Sequence, residues 1–465
     1  MSERNRMLTG GARALTGLVV IAAAAAGVVA LATVDVPAVK TRPTAITVDT
    51  TQDTARTLVC AGSFAELGLD PDRPSVAIPV GSPSLTIAGE PSESGVLARM
   101  GIGDGAASVH RAPAQQTLGV AQAQRVETTD LKGLAASSCA EPLNEQWLLG
   151  GATAVGTSTT LSLGNPGSVA ATVQISLFDE KGPIEAVQSA GVIVPPGAEQ
   201  IVSVNGYATE RGRLGVRVVS TGAPVTASLG VAQVEGINPF AVSSVTRQAE
   251  PKTQLLIPGV TNESDREAGP SDAGEGDQYP VTVRALAPGG EIGVATVRAL
   301  DAEGRSTDLG QIDLLAGAVG ELLVQKWPKG ASTVVIESDA PIIGGVLGSV
   351  QQGKHHDNQW FSPAPEILPG AATAVPLVAG GKLVVANPGE ASAVITVADQ
   401  DDDKDPKKVT VGPGSSVVVS APARALLKSD QPVYAGVRVL DDGGLAGYPV
   451  LPADPRDGEL TVHTR

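Results

Sequence analysis

LGNPGSVAATV, residues Leu163–Val173, recurs in altered form as LAPGGEIGVATV at Leu286–Val297 and as VANPGEASAVITV at Val385–Val397. Each copy has an apolar run, a turn rich in Pro and Gly, and a second apolar run. That pattern is typical of two antiparallel strands joined by a turn. In Thr172–Leu177 apolar and polar residues alternate, which places the apolar side chains on one face of a strand. The repeat therefore predicts an all-β chain.

Two further motifs recur in the same order within each copy. They are Val192–Val204, Ile312–Val324 and Val409–Ala421, and then Val216–Ala232, Val334–Val350 and Ala425–Leu440. The copies follow one another at offsets of roughly 100 residues, which predicts tandem immunoglobulin-like or fibronectin-like β-sandwich modules. A β-propeller built from the whole chain is the alternative, but propeller blades are shorter than these repeats.

The repeats and the composition of the flanking segments predict the domain organisation. We expect a basic cytoplasmic tail (1–13), a transmembrane helix or signal peptide (14–34), a linker (35–55), an N-terminal β module (56–143) and three sandwich repeats (144–250, 251–366 and 367–465). These four β regions are called modules 1 to 4 below. Module 1 is either a divergent copy of the repeat or a different β domain. The polar stretch 261–277 is expected to be a loop within module 3.

An uncharged apolar stretch near the N-terminus, Ala14–Val34, has the length of one membrane-spanning helix. Arg4, Arg6 and Arg13 precede it, so the positive-inside rule places the N-terminus in the cytoplasm. We expect a single-pass protein of the cell membrane, attached through this helix, with its bulk extracytoplasmic. The alternative is secretion after cleavage near Ala30-Leu31-Ala32.

Charge and aromatic content exclude some classes of partner. The net charge is −16, which repels phosphate backbones, so no nucleic-acid partner is expected. Aromatic residues make up 2% of the chain, which argues against a rich stacking platform for sugars or bases.

Only two cysteines occur, Cys60 and Cys139, both in module 1. An even, minimal count in an exported chain predicts one disulfide between them. Two reduced, buried thiols are the alternative.

The densest group of carboxylates is Asp399, Asp401, Asp402, Asp403 and Asp405. Calcium prefers several oxygen ligands close together, but a calcium-loop pattern starting at Asp399 has Lys404 where Gly is required and Thr410 where Glu is required. A solvated hairpin tip is therefore expected here. His355 and His356 are likewise expected in an exposed polar loop, because no third metal ligand is evident nearby.

Motifs of catalysis and of cofactor binding are missing from the sequence. There is no Gly-x-Ser-x-Gly, no His-Glu-x-x-His and no Gly-x-x-x-x-Gly-Lys-Ser/Thr. We therefore expect a protein without catalytic residues, cofactor or metal.

Trp147 and Trp360 occur in similar contexts, NEQW and DNQW, at the edges of predicted modules. An exposed tryptophan can anchor a protein interface or stack on a sugar, so both are candidate partner-binding residues. Packing at module junctions is the alternative.

The stretch around the first Trp carries a resemblance to a known family. Cys139 and Pro142 precede EQWLLGG at Glu145–Gly151, followed by a Leu-x-Leu-x-Asn-Pro turn and by VPPG at Val194–Gly197. This resembles an uncharacterised family of actinobacterial secreted or single-pass membrane proteins ("large secreted protein"), classed as a domain of unknown function. The resemblance extends from about Leu58 to the C-terminus. It implies an envelope role only by association with envelope glycan-assembly enzymes.

These observations predict a non-enzymatic extracytoplasmic binding or scaffold protein of the bacterial cell envelope, which presents β-sandwich loops to an envelope protein or a wall glycan. An accessory subunit of an envelope glycan-assembly enzyme is the alternative. An enzyme with an unrecognised site is the least favoured.

Overall fold

A computed structural model of the chain describes residues 19, 22, 23, 25, 26, 45–49, 55–66, 72, 77–99, 105–184, 191–264, 279–353, 355–402, 405–453 and 459–463. Across these residues, no helix is both long and apolar enough to cross a membrane. The predicted tail 1–13 and most of the predicted membrane segment 14–34 lie outside the described residues.

The strands are numbered along the chain, and β1 spans Ala45–Asp49. Module 1 contains β2 (Arg56–Val59), β3 (Ala65–Glu66), β4 (Ile78–Pro79), β5 (Ser84–Ala88), β6 (Glu93–Val96), β7 (Ala98–Arg99), β8 (Ser108–Ala112), β9 (Gly119–Glu127) and β10 (Lys132–Ser138). Module 2 contains β11 (Glu145–Leu149), β12 (Thr157–Asn165), β13 (Ala171–Asp179), β14 (Gly182–Pro183), β15 (Gly191–Val194), β16 (Ala198–Ser203), β17 (Gly215–Thr221), β18 (Thr226–Glu235) and β19 (Asn238–Thr246).

The second half of the chain continues in the same manner. Module 3 contains β20 (Lys252–Pro258), β21 (Asn262–Ser264), β22 (Val281–Leu286), β23 (Gly293–Leu300), β24 (Ser306–Leu314), β25 (Gly320–Val324), β26 (Thr333–Gln352) and β27 (His355–Phe361). Module 4 contains β28 (Glu366–Ile367), β29 (Thr373–Pro376), β30 (Gly381–Asn387), β31 (Ala393–Asp399), β32 (Lys407–Val411), β33 (Ser415–Val419), β34 (Arg424–Ser429), β35 (Val433–Asp441) and β36 (Gly444–Pro449). The last strand, β37, spans Glu459–His463.

The described strands form two separate units. One consists of residues 1–52 and 456–465, in which β1 pairs antiparallel with β37. The other, residues 53–455, holds β2 to β36. The predicted linker 35–55 therefore contains a strand, and the predicted end of module 4 at 465 lies outside the unit that holds the rest of that module. Each of these terminal strands is only five residues long, too short for its alternation to stand out in the sequence.

Module 2 shows the repeating architecture, which is two antiparallel sheets packed face to face. One sheet has the order β11-β17-β13-β15, and the other has the order β19-β18-β12-β16. Leu161, Val173 and Val218, each from a different strand, meet in the apolar core between the sheets. Alternate side chains enter this core because successive residues of a strand point to opposite faces.

Modules 3 and 4 repeat this strand order. In module 3 the sheets run β20-β26-β23-β24 and β27-β26-β22-β25, and in module 4 they run β29-β34-β31-β32 and β36-β35-β30-β33. Module 3 differs in one respect, because β26 continues from one sheet into the other where modules 2 and 4 have two separate strands. The prediction of β-sandwich modules is confirmed.

Module 1 has the same order with one outer strand fewer in each sheet. Its sheets run β2-β8-β6 and β10-β9-β5. A bridge pairs the first strand of the module with the segment after its last strand in three modules, as Val59 with Ala140, Trp147 with Gln248, and Leu256 with Ala364. Module 1 therefore shares the strand order and the closing bridge of the repeat.

The four modules pack in cyclic order, which we call the module ring. Their last strands lie together, since β10 contacts β19 and β36, and β27 contacts the same two strands. Module 4 returns to module 1, because Leu134 and Ala136 belong to the same apolar cluster as the core of module 4. Arg56 Nη2 donates to Leu451 O across the same junction, at 3.3 Å.

A turn that begins with Asp recurs in modules 2 and 3, at Asp179–Gly182 and Asp301–Gly304, and connects neighbouring modules. Asp179 O accepts from Val319 N at 2.8 Å, and Asp301 O accepts from Ser416 N at 2.8 Å. The side chain of each Asp is meanwhile bonded to backbone N–H groups of its own turn. The turn is therefore rigid and presents its carbonyl to the next module.

Candidate binding face

Each of the four last strands is entered through a hairpin. The hairpins pair Glu127 with Lys132, Glu235 with Asn238, Gln352 with His355, and Asp441 with Gly444. Because the last strands lie together, the arrangement of their first residues decides whether the hairpins meet at one end of the module ring.

Asp357, near the start of β27, shows that they meet. Its Oδ2 accepts from Leu134 N of β10 at 2.9 Å and from Leu445 N of β36 at 3.1 Å, and its Oδ1 accepts from Asn358 N at 2.9 Å. The residue is 2% exposed. Burial raises the pKa of Asp357 well above its usual range, against the three N–H donors, which lower it. The carboxyl group of Asp357 thus links the three last strands β10, β27 and β36 near the points where they begin.

The hairpins of modules 1, 3 and 4 are also in direct contact. Arg125 pairs with Asp441 at 3.0 Å, and a Cβ built on Gly443 would lie 3.2 Å from Cβ of His355. Module 2 is in contact as well, through Gly133 of module 1. This glycine lies so close to β19 that a Cβ added to it would be 2.5 Å from the backbone N of Val242. The four hairpins therefore share one end of the module ring, which we call the hairpin face.

An aromatic stack lies at this face between modules 2 and 3. The ring of His356 is stacked between Phe240, with centroids 4.9 Å apart, and Tyr279, with centroids 3.5 Å apart. Its Nε2 is buried with no hydrogen-bond partner. Burial lowers the pKa of His356 to about 4, so the imidazole is neutral at pH 7. The prediction that His355 and His356 occupy an exposed loop is wrong, because both lie in β27; His355 is exposed, whereas His356 is half-buried.

The charges on the hairpin face are mainly negative. Its exposed carboxylates are Glu127, Asp130, Glu235, Asp441 and Asp442. Glu66 lies close by, and its pKa is raised by burial and by the charge of Asp130. The described cations at the face pair with two of these carboxylates, Arg125 with Asp441 and Lys132 with Glu127. Lys354 of the module 3 hairpin lies outside the described residues.

Two aliphatic side chains stand out at the same end of module 2. Val155 is 96% exposed and Ile237 is 93% exposed. Their loops lie side by side, because Val234 N donates to Gly156 O at 2.8 Å. The hairpin face thus combines exposed apolar side chains with an acidic surround.

The two candidate partner-binding tryptophans are buried, which corrects the expectation of exposed anchors. Trp147 is 5% exposed and Trp360 is 3% exposed. Trp147 packs against Phe178, and Trp360 enters the core of module 2 with the guanidinium of Arg284 4.6 Å above its ring. Both lie at the junction of modules 2 and 3, where a large apolar ring gains more from burial than from exposure.

The described aspartates of the 399–405 group and His110 show no catalytic arrangement; Asp403 lies outside the described residues. Asp399 Oδ1 accepts from Asp401 N in a turn, and Asp401 pairs with Arg424 at 2.9 Å. His110 has Ser94 Oγ 3.0 Å from Nδ1 and Ser108 Oγ 3.1 Å from Nε2, so both ring nitrogens are occupied by serines. Within the part of the chain that the structure describes, no three His, Cys, Asp or Glu side chains come together in a group that could hold a metal.

The predicted disulfide is present between Cys60 and Cys139. Both half-cystines are 2% exposed. They flank the Val59–Ala140 bridge, so the covalent bond reinforces in module 1 a contact that modules 2 and 3 make without one. A small cavity of about 20 Å³ lies beside Cys60, lined by hydroxyls such as those of Ser137 and Ser162. Its size suits a single water and excludes an organic ligand.

Two buried ion-pair sites hold the modules together and were not predicted from the sequence. Arg99 lies across Glu199, with Nε 3.1 Å from Oε2, and their side chains are 3% and 0% exposed. Arg284 Nη1 donates to Gly151 O at 2.6 Å and its Nε to Glu321 at 2.8 Å. Isolated charged residues within apolar strands are the signal that would have identified both.

The family model described as "Family of unknown function (DUF5719)" matches residues 95–422, more than half of the chain. The chain belongs to this family. The recognised resemblance to an uncharacterised family is confirmed. No curated protein matches the chain.

Among solved structures, a chain titled "Biofilm associated protein - BSP domain" is similar at 11% identity and a TM-score of 0.13, with 79% of this chain and 67% of that chain covered. A TM-score this low supports no conclusion about function.

Proposed function

We propose that this member of the family is a non-enzymatic scaffold or binding protein of the bacterial cell envelope, which presents its module loops to a protein or wall-glycan partner. The observation that carries the proposal is the meeting of four hairpins at one face, where Asp357 joins the last strands of modules 1, 3 and 4. Loops fixed in this way form a preorganised surface, which lowers the entropy lost on binding.

The extracytoplasmic location rests on two observations. The sequence has a basic N-terminus followed by an uncharged apolar stretch. The disulfide between Cys60 and Cys139 suits an oxidising compartment. We propose a single-pass membrane protein with its N-terminus inside, and secretion after cleavage remains the alternative.

Chemical crosslinking of the full chain in its own membranes, followed by capture and mass spectrometry, tests the proposal. We expect a defined envelope protein or a wall-glycan fragment to be crosslinked through the modules. Recovery of a glycan-assembly enzyme would identify the chain as its accessory subunit. Recovery of neither protein nor glycan above the level of an unrelated membrane-anchored control would contradict the proposal.

A further inference from the structure

We infer that the hairpin face binds a segment of a partner protein in which basic residues surround at least one apolar residue. This inference rests on the proposed function and names the partner class for the same face. Three features of the face carry it: its exposed aliphatic side chains, its aromatic stack and its charge.

The aliphatic side chains supply the apolar contact. Val155 and Ile237, 96% and 93% exposed, are the two most exposed of the large hydrophobic side chains in the described part of the chain. Both lie on adjacent loops of module 2 and are held by a backbone hydrogen bond between Val234 and Gly156. Apolar groups presented together on rigid loops are typical of protein-binding surfaces.

The aromatic stack lies beside them, because Phe240 follows Ile237 within the same hairpin and strand. Phe240 and Tyr279 are half-buried and each has one ring face covered by His356. Rings held in this way are rigid and lose little conformational entropy when a partner covers their exposed edges.

The charge of the surround selects the partner. Five exposed carboxylates lie on the hairpins against two described cations, Arg125 and Lys132, which pair with Asp441 and Glu127. The carboxylates in excess are Asp130, Glu235 and Asp442. Charge complementarity therefore favours a cationic segment, and it disfavours nucleic acid and anionic lipid.

Binding of a synthetic peptide that alternates pairs of lysines with single leucines, measured by isothermal titration calorimetry on the full chain in neutral detergent, tests the inference. Ile237→Asn is expected to weaken binding by about tenfold, and the double variant Glu235→Gln, Asp442→Asn by a similar factor. The matched controls are Ile193→Asn, at an exposed residue on β15 of the same module, and the double variant Glu390→Gln, Asp405→Asn, which removes two exposed charges elsewhere.

Affinity is also expected to fall as salt is raised, because the contact is partly electrostatic. The inference is overturned if the control variants weaken the peptide as much as the hairpin variants do, or if no variant affects it. It is also overturned if the peptide does not bind, whether or not a soluble wall-glycan fragment binds in its place. In each of these cases the membrane crosslinking experiment can still succeed, so failure here is distinguishable from failure of the proposed function.

Discussion

The carboxyl group of Asp357 accepts a hydrogen bond from the backbone N–H of Leu134, which lies 223 residues earlier in the chain. The same Oδ2 accepts from Leu445 of module 4. A single buried side chain therefore links modules 1, 3 and 4 at the centre of the module ring. The stability of the whole ring is expected to depend on this residue more than on any surface carboxylate.

Replacement of Asp357 by Ala is expected to lower the free energy of unfolding by about 4 kcal/mol, because three buried N–H groups lose their acceptor. Asp430→Ala is the matched control, since its exposed carboxylate accepts only from Val394 N among its described backbone contacts. That variant should lose less than about 1 kcal/mol. Urea unfolding followed by circular dichroism measures both, and equal losses would contradict a central role for Asp357.

The raised pKa of Asp357 gives stability a defined pH dependence. The folded chain holds the proton of Asp357 to higher pH than the unfolded chain does. The contribution of Asp357 to the free energy of unfolding is therefore complete below a pH of about 4 and is lost as the pH rises through the folded pKa. Asp357→Asn cannot ionise. The stability of the wild type relative to Asp357→Asn should therefore fall as pH rises from 4. A pH-independent difference would show that the pKa of Asp357 is the same in both states.

The titration of His356 makes stability depend on pH in the opposite direction. Its pKa is about 4 in the folded chain and about 6.5 when unfolded, so the unfolded chain binds the extra proton between these values. Its contribution to stability is present above pH 6.5 and declines as pH falls to 4, by at most about 3 kcal/mol. Melting temperatures of the wild type and His356→Gln should converge on acidification. Curves that stay parallel from pH 7 to 4 would contradict the buried, neutral imidazole.

Removal of the disulfide with Cys60→Ala and Cys139→Ala is expected to cost about 4 kcal/mol, because the bond closes a loop across 79 residues in the unfolded chain. The measurement is urea unfolding of oxidised wild type, reduced wild type and the double variant. Reduced wild type and the variant should agree. A variant as stable as the oxidised protein would show that the Val59–Ala140 contact holds module 1 without the covalent bond.

Arg99→Ala is expected to cost about 3 to 5 kcal/mol, because it leaves the fully buried Glu199 without its cation. The double variant Arg99→Met, Glu199→Gln removes both charges and should recover most of the loss. Arg217→Ala is the exposed counterpart, since Arg217 and Glu145 are 40% and 46% exposed, and it should cost less than about 1 kcal/mol. Similar losses for both single variants would contradict the distinction.

The strand content was predictable because the repeats alternate cleanly. The alternating stretch Thr172–Leu177 lies within β13, and the repeated motif Val216–Ala232 covers most of β17 and β18. The turn residue Asn165 was equally informative, because its side chain forms hydrogen bonds with the backbone across its own turn. Asn387 makes the matching hydrogen bonds in module 4. Local patterns encode local structure, and these elements depend on little else.

The module ring and the hairpin face were not predictable from such patterns. The strand β27 reads HHDNQWF, and its polar residues suggest an exposed loop, yet Asp357, Asn358 and Gln359 are all buried at the centre of the ring. Their partners come from distant modules, as when Gln359 Nε2 donates to Ser244 O. A buried polar strand is recognisable only once its hydrogen-bond partners are known.

The hydrogen bond between Arg56 and Leu451 shows that the chain enters and leaves the module ring at one place. Topologically, no module is then an end module, in contrast to an open array of repeats in which terminal units fray first. A circular permutant that joins these two positions and opens the chain in the loop between β27 and β28 should keep the same arrangement of modules. A pull applied to Arg56 and Leu451 would load the junction of modules 1 and 4 before any sandwich core.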